Sequence, residues 1–268
     1  TTISLVAGEA TFKNTDAVTI AGTISETSGA TTLAVLNSAD AEAPSVATIS
    51  GAVTVDTITI GATATAGSVK FSSTVEATST IHGGNAAVED SLMEITGTHT
   101  GAVVLTQAGS GDAGFKTSGS TALSVTGAIT ATTDGDGVIT SANTNRATFA
   151  AVGTDAKKIL SVTVSSGADA LFGAAVAANT LTITGDAIIQ AADNESEVVA
   201  MGASSTLIID DTVTNGNNVF NEVATTRPTL TSGAKIYMPG NLKNGETLIL
   251  FLGEANNGLA DNATTVTE

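Results

Sequence analysis

The sequence predicts an all-β chain wound as a parallel β-helix (a β-solenoid) with a distinct C-terminal cap or junction segment. Three observations predict it. A short unit of alternating apolar residues closed by glycine recurs along the chain, large aromatics are nearly missing, and no long stretch reads convincingly as a helix. Hydrophobic residues make up 42% of the 268 residues, yet aromatics make up 3% and tryptophan is absent. Ala, Val, Ile and Thr are left to fill the core, and the β-branched ones suit a pleated surface. The 28 glycines and 3 prolines supply turns with few interruptions to strand pairing.

The unit appears as "VTIAG" (18–22), "TISG" (48–51), "ITIG" (58–61), "MEITG" (93–97), "LSVTG" (123–127) and "LTITG" (181–185). A second alternation often follows the glycine, as in "AVTVDTI" (52–58) and "AITAT" (128–132), and then small or acidic turn residues such as "DGDG" (134–137) and "ADNE" (192–195). Period-2 alternation marks short strands, so Ile20, Ile49, Ile60, Ile95, Val125 and Ile183 are expected to point inward. Segments recur at roughly 20–30 residues, the length of one coil of three short strands and loops. The nearest helix candidates are 148–160, weakened by Gly153, and 167–179, which also reads as strand–turn–strand. Small side chains stack well on successive coils and fill a narrow interior; tandem Greek-key sandwiches are the alternative. The texture is uniform over residues 1–215, the expected solenoid body. Residues 216–268 are bulkier and hold the one tyrosine, as a cap or subunit junction needs, because raw coil ends aggregate.

Charge and composition exclude several classes. The formal net charge is −17, which speaks against phosphate-tracking nucleic-acid binding and against docking on anionic lipid. There is no cysteine, hence no thiol catalysis, disulfide or Cys-based metal site. "TLILFL" (247–252) is too short to span a bilayer. The chain starts at Thr1, which suggests processing, such as removal of a signal peptide, or a fragment.

Catalytic patterns are weak. "GSGDAG" (109–114) matches a glycine-rich nucleotide loop, but strand-like sequence follows it where a helix is required. His82 in "IHGGN" and His99 in "GTHTG" read as exposed polar positions. Asp210 and Asp211 would point to opposite faces of one strand. The chain is therefore expected not to be an enzyme and to need no cofactor. Calcium is the one ion the acidic turns suit: Asp134 and Asp136, with Asn143 and Asn145 nearby, and Asp193 and Glu195 offer the oxygens it takes. The same residues also serve Asp-Gly turns without any metal. "NES" (194–196) and "NAT" (262–264) match the N-glycosylation sequon.

The stretch "VTGAITATTDGDGVITSANTNRATFAAVGTDAKKILSVTVSSGADALFGAAVAANTLTITGDAIIQAADN" resembles the passenger regions of autotransporter-type bacterial surface proteins, including the large outer-surface antigens of rickettsiae. "LKNGETLILFLG" (242–253) is similar to their late passenger strands. The resemblance implies a secreted, surface-exposed parallel β-helix and carries no catalytic residues. This sequence holds no amphipathic β-barrel of the kind that anchors autotransporters.

The expected role is structural: a secreted, extracellular subunit of a self-assembling filament, sheath or surface layer, joined head to tail to itself. The alternatives are an adhesin passenger that grips a host or neighbouring cell, and a β-helical polysaccharide-active enzyme or phage tailspike. The expected subunit junction sets Phe12 and the first strands against Tyr237, Met238, Leu248, Leu250 and Leu252 of the next copy, with no nucleic acid and no membrane insertion.

Overall fold

The computed structural model describes residues 2–14, 17–37, 47–85, 90–213, 218–223, 229–238, 247–253 and 264–267. All regular structure among them is β, in two 13-stranded sheets. Successive coils lay strand on strand in parallel, so the chain is a β-solenoid. Among the described residues the one antiparallel strand pair is Thr247–Gly253 with Thr264–Thr267. The glycine-closed units are strands, as the alternation requires: Val18–Ile20, Ala47–Ile49, Val53–Ile60, Ser91–Ile95, Leu123–Val125 and Ala177–Ile183. Both helix candidates resolve into strand, turn and bridge around Arg146–Phe149 and Asp169–Phe172.

Three ladders run along the solenoid. The first has the inward column Ile20–Ile49–Phe71–Ile95–Thr117–Ser141–Val164–Ile183–Met201. The second stacks Ile3–Ile24–Val53–Val75–His99–Val125–Phe149–Phe172–Ile189–Ile209. The third stacks Leu33–Ile58–Ser79–Val103–Ile129–Val152–Val176 and stops there. Five of the six residues expected to point inward are fully buried, and Ile20 is partly buried against the same core. Each fully buried aliphatic contributes about 1.5–3 kcal/mol. Phe149 and Phe172 stack with centroids 5.4 Å apart.

The glycine that closes each unit has a steric cause. A Cβ at Gly127 would stand against the carbonyl of Gly101 in the preceding coil, and one at Gly97 against the carbonyl of Ser73. The chain turns its corners where neighbouring backbones touch.

The coil step explains why the repeat drifts. It is 24 residues from Val75 to His99 and 26 from His99 to Val125. It falls to 17 from Phe172 to Ile189 and 20 from Ile189 to Ile209. The drop coincides with the end of the third ladder. Buried Asn194 ends it: its Oδ1 accepts from the Val176 amide at 2.8 Å, and its Nδ2 donates to the carbonyls of Ala191 and Val219. The Glu195 amide donates to the Val176 carbonyl at 2.9 Å. One side chain and one amide thus satisfy the groups that a further strand would have paired. The other two ladders run on past residue 215, through Phe220 and Tyr237.

Candidate functional site

The acidic corner of 133–136 is built by backbone. Asp134 Oδ1 accepts from the Lys158 amide at 2.9 Å. Asp136 Oδ2 accepts from the Thr133 amide at 3.0 Å and the Gln107 amide at 3.3 Å. Gly135 and Gly137 have φ of 83° and 82°, the left-handed region that glycine enters freely. The two carboxylates therefore tie three successive coils together at one corner. Asn143, also expected near a cation, is buried and donates to the carbonyls of Thr121 and Asn145. Asp193, with φ of 56°, and Glu195 flank Asn194 at the end of the third ladder. Among the described residues no three His, Asp or Glu side chains gather as metal ligands would. Elsewhere, Asp210 accepts from Gln190 and from Thr212, and these hydrogen bonds hold its carboxyl below the usual range. Asp112 is pushed the other way, by burial and then by the neighbouring Asp90 carboxylate.

The histidines depart from the sequence reading. His82 lies within the strand Val75–Gly83 and is half-buried. His99 is fully buried in the second ladder, between Val75 and Val125. Its Nε2 pairs with Ser79 Oγ at 2.9 Å and its ring meets Phe115 edge-on. Burial pulls its pKa down to about 4, so the imidazole is neutral at pH 7. The turn-like flanks of "GTHTG" hid an inward position, because two glycine corners crowd a two-residue strand. "GSGDAG" is a loop leading into the strand Ala113–Gly119, not into a helix. The sequon asparagine Asn194 uses its amide inside the core; Asn262 lies outside the described residues.

The ends carry the junction residues. Among the described residues the strand Thr2–Asn14 pairs along one edge only, with Thr23–Asn37. Its inward residues Ile3, Leu5 and Phe12 are only partly buried against the core. At the other end Ile236 and Met238 are likewise partly buried, and Tyr237 is 51% exposed. Leu248, Leu250 and Leu252 lie on the strand Thr247–Gly253, paired with Asn218–Val223 on one side and Thr264–Thr267 on the other; their side chains lie outside the described residues.

Sequence reasoning missed an outward charge column in the first ladder. Glu94 takes Lys70 at 3.0 Å and Lys116 at 3.2 Å from the coils on either side, and the Ser118 hydroxyl at 2.6 Å. The signal was present, since these residues are spaced by 24 and 22, the coil step itself. Among the described residues, no helix is long and apolar enough to cross a membrane. No family model, curated protein or solved structure matches the chain.

Proposed function

We propose that the chain is a secreted structural subunit that assembles with itself into an extracellular filament, sheath or surface layer. The observation that supports this is the state of the core at its two ends. The inward column of the second ladder begins on a half-covered Ile3 and passes Ile209 toward a half-covered Met238. A second copy set end to end would place Ile3 over Met238 and continue the column. It would also cover Leu5 and give the unpaired edge of Thr2–Leu5 a neighbour at Lys235–Tyr237. The resemblance to autotransporter passengers supports the extracellular setting. Calcium belongs to the reading as an ion bridging Asp134 and Asp136, or Asp193 and Glu195, where it would offset part of a net charge of −17. A melting temperature that excess chelator leaves unchanged removes it.

The test of assembly is electron microscopy of the purified chain beside a variant lacking residues 1–14. The full chain should form linear polymers and the truncated one single rods. A truncated chain that polymerises as well as the full one overturns the end-to-end junction. Single rods from the full chain that bind cells favour the adhesin reading instead.

A further inference from the structure

The second ladder has an outward column as well as an inward one. It reads Ser124–Thr148–Leu171–Ile188–Ile208–Tyr237. Two hydroxyl side chains give way to four apolar ones from Leu171 onward. Beside it runs a second outward column, Arg146–Asp169–Asp186–Thr206–Lys235. Tyr237, Asp186 and Lys235 are exposed, and Leu171, Ile188 and Ile208 are half-buried. Stacking along the column contributes to the sheet, but it does not require the outer surface to be apolar: Ser124 and Thr148 hold the same positions in the earlier coils.

We propose that this face docks on the same face of a second copy, with the two solenoid axes antiparallel. The charges select that arrangement. A two-fold axis parallel to the strands, passing between Ile188 and Ile208, reverses the column onto itself. Leu171 then faces Tyr237 of the other copy, and Ile188 faces Ile208. In the flanking column Asp169 faces Lys235 and Asp186 faces Thr206, so each acid end meets a basic end twice over. Asp169 already binds Arg146 within its own copy at 3.2 Å, which leaves a fixed carboxylate for the incoming lysine. Four apolar side chains per copy cover far less than the roughly 800 Å² per partner of a stable dimer. The contact is therefore weak for a lone pair and gains strength between subunits already aligned in a polymer. It rests on the self-assembly reading and supplies the side-to-side contact that turns filaments into a sheath or sheet.

The chain has no cysteine, so paired thiols report the contact directly. Within one copy the two positions are stacked neighbours, so each thiol goes on a separate full-length chain: when D186C and T206C chains are mixed, the two thiols face each other across the axis, about 10 Å apart for stacked sheets. A bismaleimide of that span should give covalent dimers whose yield rises with protein concentration. Adding I188T/I208T, which extends the hydroxyl column and keeps strand-forming residues, should cut the yield about tenfold. Separately, K235E should cut it about fivefold, and D169K in the same chain should restore it. No dimers at high concentration, or a yield that neither I188T/I208T nor K235E changes, overturns the proposal. Filaments that persist while this cross-link fails remove the face and leave the end-to-end reading. Cross-linked pairs without filaments do the reverse.

Discussion

The coils before and after Val176 share a winding sense and an inward column, yet differ in cross-section. The earlier ones have three ladders and steps of 21–29 residues; among the described residues the coils just after Val176 have two ladders and steps of 17 and 20, and the step returns to 29 from Ile208 to Tyr237. Dropping a ladder leaves a row of backbone groups without partners, and one buried asparagine meets that need. The comparison teaches that a solenoid can change girth within a single coil, provided that the orphaned amide and carbonyl are satisfied. The outward column of the second ladder turns apolar at Leu171, in the last coil that keeps the third ladder.

The sharpest way to break the comparison is at Asn194. N194A leaves the Val176 amide and the carbonyls of Ala191 and Val219 unpaired in the core. The expected cost is about 3–5 kcal/mol, read by urea unfolding. Amide exchange should quicken at Val176 more than at Val152, whose ladder neighbours remain. Uniform loosening along the solenoid would refute the capping role. Glycosylation in a secretory host should leave Asn194 unmodified in the folded protein.

His99 tests the wide coils. Its folded pKa of about 4 lies below the 6.5 of the unfolded chain, so the unfolded state binds the proton first as pH falls. Stability is full above pH 6.5, declines below it, and levels off below about pH 4, a total loss of about 3 kcal/mol at 1.36 kcal/mol per unit. Carboxylates titrate in the same range, so the measurement is a difference. H99V, flanked by Val75 and Val125, should show a shallower decline between pH 7 and 4 than the parent.

The corners rank next. G127A drives a methyl group into the Gly101 carbonyl and should cost about 2–3 kcal/mol. Gly167, with φ of 75° and open space around its Cβ position, meets only backbone strain, so G167A should cost about 1 kcal/mol. Equal losses in thermal melts would mean that close backbone approach does not set the glycine unit.

Much of this was legible in sequence, and unevenly. Inward aliphatics such as Ile49, Ile95 and Ile183 announce themselves because alternation beside a glycine has one structural meaning. The coil step was blurred because girth changes and because loops vary, so stacked partners such as Lys70 and Glu94 lie a variable distance apart. Asn194 was hidden in what read as an acidic turn and a sequon, since the need it meets, at Val176, is created by topology. The apolar outward column left a visible trace: "DALF", "DAII" and "TLII" carry apolar residues at consecutive positions, where a half-buried strand alternates.

The smallest effect belongs to the charge column of the wide coils, whose continuation is Thr140, Thr163 and Thr182. Burial pushes the Glu94 carboxyl up, but the Ser118 hydroxyl and the two lysines outweigh it and hold it below the usual range. The stabilisation is therefore present above the unfolded carboxyl pKa and is lost as pH falls through the lower folded one. Lys70 and Lys116 stay 37% and 35% exposed, so water solvates them well without a partner. E94Q keeps an acceptor for Ser118 and removes only the charge, and should cost about 0.5–1 kcal/mol at low salt. At 1 M salt the Debye length is about 3 Å, and most of that difference should vanish. A salt-independent loss above about 2 kcal/mol would mean that Glu94 acts as a packed core contact rather than a solvated tie between coils. The threonine rows would then be the weaker joint, and the narrow coils would owe their stability to the core alone.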